Sequence, residues 1–69
     1  MKTALVLFAE GTEELEAVSI VNILRRGDVS VTLAGLIDGV LQGSRGIKIM
    51  PDTTLDEALT HDYDMIVLP

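Results

Sequence analysis

The amino-acid sequence predicts an α/β protein whose parallel sheet is covered by helices on both faces. Thr3 to Ala9 is a near-continuous apolar run of strand length, without the alternation of a half-exposed strand. A helical stretch and a second β-rich stretch follow it, which is the order of a right-handed parallel crossover unit. Hydrophobic residues make up 48% of the chain although Phe and Tyr occur once each and Trp is absent. The interior is therefore aliphatic, as in parallel strands buried on both sides.

The first helix is expected to run from Thr12 to Arg26, with Thr12 as its N-cap. Its first turn is rich in acidic residues, which the helix dipole favours at that end. These are Glu13, Glu14 and Glu16. Arg25 and Arg26 fall in the last turn, where positive charge is favoured, and Gly27 is the expected C-cap. Val29 to Ala34 is then the second strand.

A hairpin is predicted between Gly35 and Met50. Asp38-Gly39 and Gly43–Gly46 are turn signals on either side of Val40–Gln42, and Ile47–Met50 alternates as a half-exposed strand does. The alternative is that this stretch is an excursion at the edge of the sheet.

After Pro51-Asp52 ends that strand, Thr54–Glu57 has the pattern of a capping box that opens a short helix. The apolar face of this helix is predicted to contain Leu55, Ala58 and Leu59. Met65–Leu68 is the third core strand. The predicted order is therefore β-α-β, a hairpin, then α-β.

The first helix has two different faces at about 100° per residue. One face is fully apolar and should pack on the sheet; it contains Ala17, Ile20, Val21 and Leu24. The opposite face mixes apolar with polar residues, namely Leu15, Val18, Ser19, Asn22 and Arg26. This mixed face is either a subunit interface or an ordinary exposed surface, and the pattern alone does not separate the two.

The composition excludes several classes of function. Eleven acidic against five basic residues give a net charge of −6, which repels the phosphate backbone of nucleic acids. With no Cys and one His, neither a disulfide framework nor a typical zinc site is expected, and we expect no cofactor. No apolar run reaches the roughly 18 residues of a membrane span. The expectation is a cytoplasmic protein that binds neither nucleic acid nor membrane.

The turn Glu10–Glu16 is the candidate functional segment, because open α/β sheets bind ligands at the carboxyl ends of their strands. Gly11 and Glu13 are its candidate substrate-binding residues. A single Gly among four glutamates does not suit a nucleotide phosphate. The alternative is that the glutamates only complement the helix dipole.

Glu16 is the candidate catalytic residue. On the helical wheel it lies between Ile20 and Ile23 at the border of the packing face, so its carboxyl is expected to be partly shielded from water. A shielded carboxyl tends to keep its proton and can then donate a hydrogen bond to a thiolate or an oxyanion. Elsewhere, Arg45 either pairs with a carboxylate across an interface or is a solvated turn residue, and His61 is expected on the surface.

These residues resemble the amino-terminal third of the ThiJ/PfpI superfamily, in the branch that holds the parkinsonism-linked protein deglycase and the bacterial YajL-type proteins. The segments that carry the resemblance are Ala4–Val18, Leu24–Gly27, Val29–Thr32, Ser44–Gly46 and Tyr63–Pro69. It implies a flavodoxin-like three-layer sandwich of about three times this length, an ordinary domain size. Residues 1–69 are then the amino-terminal fragment of a single domain, with the remainder expected on a separate chain or absent.

The resemblance also implies roles for particular residues. The family's nucleophile is a cysteine on the part that this chain lacks, and Glu16 matches the glutamate that hydrogen-bonds its sulfur. The first helix lies in a homodimer interface of that branch, with the residues matching Arg26 and Arg45 near it. The expected function is that of a cysteine-dependent glyoxalase, protein deglycase or related hydrolase acting on small carbonyl or glycated substrates, with a possible part in oxidative stress. A redox-responsive chaperone or a non-catalytic flavodoxin-like binding module is the alternative.

Overall fold

A parallel sheet with helices on both faces forms the body of the computed structural model, which describes residues 1–69. The elements are β1 (Thr3–Phe8), α1 (Glu14–Arg26), β2 (Ser30–Gly35), β3 (Leu41–Gln42), β4 (Lys48–Ile49), β5 (Thr53–Thr54), α2 (Leu55–Ala58) and β6 (Met65–Val67). Four strands pair in parallel in the order β5-β2-β1-β6, and β3 pairs antiparallel with β4 in a separate small sheet. The predicted α/β class and the hairpin are confirmed.

The central strand β1 owes its position to side chains that are apolar on both of its faces. Ala4, Val6 and Phe8 pack with α1, whereas Leu5 packs with Ala58 of α2 on the opposite face. All four of these β1 residues are at most 1% exposed. A strand covered on both sides cannot alternate between apolar and polar residues, so the unbroken run at the start of the sequence is explained.

Helix α1 packs as its periodicity predicts but begins later than expected. Ala17 and Val21 are buried against the sheet, and Gly27 ends the helix by donating its N–H to the carbonyls of Ile23 and Leu24. The predicted N-cap is wrong: Glu13 occupies that position, and no side chain caps the helix. The hydroxyl of Thr12 instead accepts a hydrogen bond of 3.1 Å from the N–H of Ala9, which closes the turn after β1.

The hairpin is more deeply anchored than an edge excursion. Leu41 of β3 is fully buried in the same cluster as β1 and α1. It packs close to Gly35, where an added Cβ would lie 3.0 Å from Leu41 Cδ1 and 3.0 Å from Pro51 Cγ. Beyond the hairpin, the sequence does not predict β5, because two residues are too short to form a pattern.

Helix α2 confirms half of the predicted capping box. The Thr54 hydroxyl accepts a hydrogen bond of 3.3 Å from the N–H of Glu57, but the Glu57 carboxylate accepts from the Thr53 hydroxyl instead of returning to the Thr54 backbone. Ala58 is buried as expected, whereas Leu59 is 60% exposed. The predicted apolar face is wrong at Leu59 because the helix ends at Ala58.

Asp64 fixes the start of β6 against the start of β1. Its Oδ2 accepts hydrogen bonds from the Thr3 N–H at 2.8 Å and from the Thr3 hydroxyl at 3.2 Å, and its own N–H donates to the Thr3 carbonyl at 3.1 Å. The hydrogen bond from the Thr3 backbone outweighs partial desolvation and, with the Thr3 hydroxyl and the nearby charges of Lys2 and the amino terminus, lowers the pKa of Asp64.

We expect Asp64→Asn to make stability less sensitive to acid. The pKa of Asp64 is lower in the folded state than its ordinary value of 3.8. The ionised carboxylate therefore stabilises the fold fully at pH values above 3.8, and this stabilisation is lost as the pH falls through the folded-state pKa. The variant should therefore be less stable at neutral pH and lose less stability on acidification. Urea denaturation at a series of pH values measures both effects. Asp62→Asn is the control, and identical pH profiles for the Asp64→Asn variant and the parent would contradict the prediction.

Candidate functional site

The turn after β1 is held against the hairpin by backbone hydrogen bonds. Gly11, in a left-handed conformation with φ of 85°, donates its N–H to the Gln42 carbonyl at 3.0 Å. The N–H of Ser44 donates to the Thr12 carbonyl at 3.0 Å, and the Glu10 carboxylate accepts from the N–H of Gln42 at 3.2 Å. Two candidate segments that are distant in sequence, Glu10–Glu16 and the Gly43–Gly46 turn, therefore form one structural unit.

Glu14 is the buried acidic residue of this unit, with 3% of its surface exposed. Its Oε2 accepts hydrogen bonds from the N–H groups of Ile47 at 2.9 Å and Arg45 at 3.0 Å. Its Oε1 accepts from the Ser44 hydroxyl at 3.4 Å. No buried polar side-chain atom is left without a partner, so the carboxylate joins the start of α1 to the hairpin turn.

Hydrogen bonding decides the charge state of Glu14. Burial acts to raise its pKa, but the N–H groups of Ile47, Glu14 itself and Arg45, together with the Ser44 hydroxyl, outweigh that effect and lower the pKa. The carboxylate is therefore ionised and acts as an acceptor only. Such a group suits a structural role better than general acid catalysis.

Gly43 provides the space that Glu14 occupies. A Cβ at position 43 would collide with Cγ and Cδ of the Glu14 side chain. Gly43 is itself buried, so any larger residue displaces the carboxylate from its donors. The sequence marks Gly43 as a turn residue, but no local signal relates it to Glu14.

The structure corrects the expected burial of Glu16. Its side chain is exposed and makes no hydrogen bond within the chain. The helical wheel places it between Ile20, which packs against the core, and Ile23, which is 67% exposed, and Glu16 lies on the exposed side of this border. Within this chain the shielded glutamate is Glu14, because its burial depends on contacts with the distant hairpin.

The other predicted site residues lie on or next to the turn. The Glu13 carboxylate accepts a hydrogen bond of 3.1 Å from the Ser44 hydroxyl. Gly11 is exposed, so its backbone is accessible beside the end of β1. The structure thus brings Gly11, Glu13 and Glu16 to one end of the sheet, with Glu16 as the one whose carboxylate has no partner.

Four of the predicted interface residues lie on α1, and Arg45 lies beside this helix in the hairpin turn. Leu15 is 76% and Val18 47% exposed. Glu13, Leu15, Val18 and Arg45 line a groove of about 660 Å³ that ends against the hairpin. Val18 also borders a second groove of about 610 Å³ with Asn22 and Arg26, which are joined by a 3.0 Å hydrogen bond.

Other chemistry has little support in the structure. No group of three or more His, Cys, Asp or Glu side chains is arranged to hold a metal ion. His61 is exposed, as expected. None of the helices has both the length and the apolar character needed to cross a bilayer.

Comparison with known proteins identifies the family. A model of the DJ-1/PfpI family matches residues 2–69. The chain belongs to the DJ-1/PfpI family. The predicted membership is thereby confirmed, on nearly every residue of the chain.

Among DJ-1 relatives, Protein DJ-1alpha of Drosophila melanogaster is 49% identical over 70 residues, covering 99% of this chain and 32% of that protein. The glutathione-independent glyoxalase DJR-1.2 of Caenorhabditis elegans is 32% identical over 69 residues, covering 99% of this chain and 37% of that protein. The chain thus spans about a third of the length of these relatives.

Solved DJ-1 structures confirm the flavodoxin-like architecture. The oxidized DJ-1 of Toxoplasma gondii superposes with a TM-score of 0.96 at 33% identity, over 100% of this chain and 38% of the other. Drosophila melanogaster DJ-1beta superposes with a TM-score of 0.95 at 42% identity, over 99% of this chain and 37% of the other. The four-stranded order and the hairpin match 38% and 37% of these two DJ-1 chains.

Proposed function

We propose that this chain is the amino-terminal part of a cysteine-dependent glyoxalase, protein deglycase or related hydrolase. The observation that carries the proposal is the unpartnered Glu16 carboxyl at the carboxyl end of β1, in a chain of the DJ-1/PfpI family. The naming of the Caenorhabditis elegans relative as a glutathione-independent glyoxalase supports the reaction class. The nucleophile itself lies on another part of the protein, because the chain contains no cysteine.

The exposed strand β6 is the proposed attachment site of a complementary carboxyl-terminal chain. β6 has β1 as its one neighbour in the sheet, and Met65, Ile66 and Leu68 are 43%, 59% and 74% exposed. Apolar strands with an open edge are normally covered. A further parallel strand beside β6 would extend the sheet and bring a cysteine to the same sheet end as Glu16.

The proposed reaction begins with attack of the cysteine thiolate on a small carbonyl or glycated substrate. The attack forms a carbon–sulfur bond and places negative charge on the former carbonyl oxygen. Once the complementary chain excludes water, the Glu16 carboxyl forms a hydrogen bond with the sulfur and orients it in this proposal. Gly11 and Glu13, beside it, contact the substrate in this proposal. No cofactor is needed for these steps.

The mixed face of α1 is proposed as a homodimer interface of the complete protein. Leu15 and Val18 supply apolar contact area at its centre, and Asn22, Arg26 and Arg45 supply polar contacts around them. This arrangement of an apolar core and a polar rim is typical of protein interfaces. The guanidinium of Arg45 makes no ion pair within the chain and is available to a carboxylate of the second copy.

An assay of the complete, cytoplasmically expressed protein with a small 2-oxoaldehyde tests the proposed activity. We expect formation of the hydroxyacid without added glutathione, and its loss when the cysteine of the complementary chain is replaced by alanine. Turnover that survives this replacement would contradict cysteine-dependent catalysis.

A redox-responsive chaperone is the second candidate: without the two interfaces proposed above, the exposed apolar residues of α1 and β6 would be free to bind clients. It predicts that suppression of client aggregation persists in the cysteine variant and changes with oxidation. An oxidative-stress role is compatible with either activity.

A further inference from the structure

The outer edge of β2 is only partly covered by another strand. β5 pairs with β2 at two positions, Ala34 with Thr53 and Gly35 with Thr54. The earlier part of β2, from Ser30 to Leu33, has no strand on that side. A strand edge of this kind invites pairing with a further strand unless other groups occupy it.

Arg25 and Asp52 occupy this open edge. Arg25 Nη2 donates a hydrogen bond of 3.0 Å to the Val31 carbonyl. Asp52 Oδ2 accepts from the Leu33 N–H at 2.9 Å, and the Asp52 N–H donates to the Leu33 carbonyl at 2.8 Å. The two side chains also contact each other, with 2.9 Å between Nη2 and Oδ2.

The attraction between the two charges does not explain this arrangement. The side chains of Arg25 and Asp52 are 50% and 49% exposed. Ion pairs at such positions add little to stability, because water screens them and two side chains must be ordered. The specific feature of the pair is that it hydrogen-bonds to the backbone groups of Val31 and Leu33 with which an incoming strand would pair.

Without these two side chains, the uncovered edge of β2 would favour association with another chain. The segment Val29–Ala34, which contains most of β2, is rich in β-branched residues and carries no charge, a composition that favours strand pairing between chains. Leu33 and Met50 lie beside Arg25 and Asp52 in one groove, and Met50 is 66% exposed. A second copy of the chain would find both free hydrogen-bonding groups and apolar surface here.

We propose that Arg25 and Asp52 form an edge cap that prevents β2 of a second copy from adding to β2 of the first. The capped groups on Val31 and Leu33 are the ones that strand addition needs. The proposal depends on contacts within this chain and is independent of the catalytic function proposed above.

Asp52→Ala, examined by sedimentation velocity over a concentration series, tests the cap. The measurement is made at a temperature where the circular dichroism spectrum of the variant is still native. The variant should form larger assemblies than the parent does, with an association constant about tenfold higher, which corresponds to about 1.4 kcal/mol. Hydrogen exchange of the Leu33 amide should quicken in dilute solution. A peptide with the sequence of Val29–Ala34, N-methylated on alternate residues, should suppress the association.

Two further variants separate the cap from simpler effects. Asp52→Asn keeps an oxygen that accepts from the Leu33 N–H and should behave as the parent does. Asp56→Ala removes an equal charge from an exposed position of α2 and should leave association unchanged. The proposal is overturned by a monodisperse Asp52→Ala variant, by association that appears only as native circular dichroism is lost, or by equal association in either control.

Discussion

Replacing Glu16 by leucine is expected to raise the thiol pKa of the nucleophilic cysteine in the complete protein and to lower turnover about ten- to a hundredfold. The side chain has no partner within this chain, so its hydrogen-bonding capacity is free for the sulfur. A hydrogen bond to a charged group contributes about 1.5–3 kcal/mol, and its loss disfavours the thiolate by that amount. Thiolate absorbance during a pH titration gives the thiol pKa, and turnover is measured on the same samples.

The conservative change Glu16→Gln is the control for this experiment. Glutamine keeps a neutral donor at the same distance and should preserve most of the thiolate, whereas Glu16→Asp withdraws the carboxyl by one methylene and should disturb it. Mass spectrometry after mild peroxide treatment adds a second readout, the oxidation state that the cysteine reaches. An unchanged thiol pKa together with an unchanged oxidation product in Glu16→Leu would refute the role.

Glu14→Gln is expected to lower the melting temperature by at least about 5 °C, because a buried, fully hydrogen-bonded carboxylate is replaced. Oε2 accepts from both Ile47 and Arg45, and Oε1 accepts from Ser44. A neutral amide keeps one acceptor oxygen for the backbone N–H groups but loses the negative charge that strengthens those hydrogen bonds. Differential scanning calorimetry measures the change. Glu16→Gln, the same chemical change two residues away on an exposed position, is the matched control, and an equal loss in both variants would contradict the prediction.

The stability of Glu14→Gln should also decline less than that of the parent as the solution is acidified. Because the pKa of Glu14 is lowered in the folded state, its carboxylate contributes fully to the free energy of unfolding at pH values above the ordinary pKa of 4.5. This contribution is lost as the pH falls through the folded-state pKa. Glutamine does not titrate, so this contribution to the pH dependence disappears. A variant whose stability declines with acid as steeply as that of the parent would show that other carboxylates dominate.

The elements that depend on local pattern were predictable from the sequence. The unbroken apolar run of β1 reflects cover on two faces, and the spacing from Ala17 to Val21 in α1 reflects one turn against the sheet. Gly27 ends α1 for a reason that is also local, since its N–H bonds to carbonyls in the preceding turn. Such features require no knowledge of residues far along the chain.

The features that were missed depend on distant contacts. Glu14 and Glu16 have similar neighbours in sequence, and the difference in their burial arises from donors at Arg45 and Ile47. The role of Gly43 follows from the same packing. Thr12 is a residue type that often caps helices, but its hydroxyl accepts a hydrogen bond from the Ala9 N–H in the turn after β1 instead. The role of Glu16 also depends on a distant contact, because the sulfur that it is proposed to contact lies outside this chain.

The link between Thr3 and Asp64 has a consequence for synthesis on the ribosome. The two residues are 61 positions apart, yet Asp64 holds the first strand of the chain. β1 acquires β2 as a neighbour early in translation, but its other edge stays vacant until β6 has left the exit tunnel. During that interval an aliphatic strand is exposed in the nascent chain, where premature contacts lead to aggregation. A translational pause after β2 has emerged but before β6 has left the tunnel would lengthen that exposure and increase the dependence of folding on chaperones.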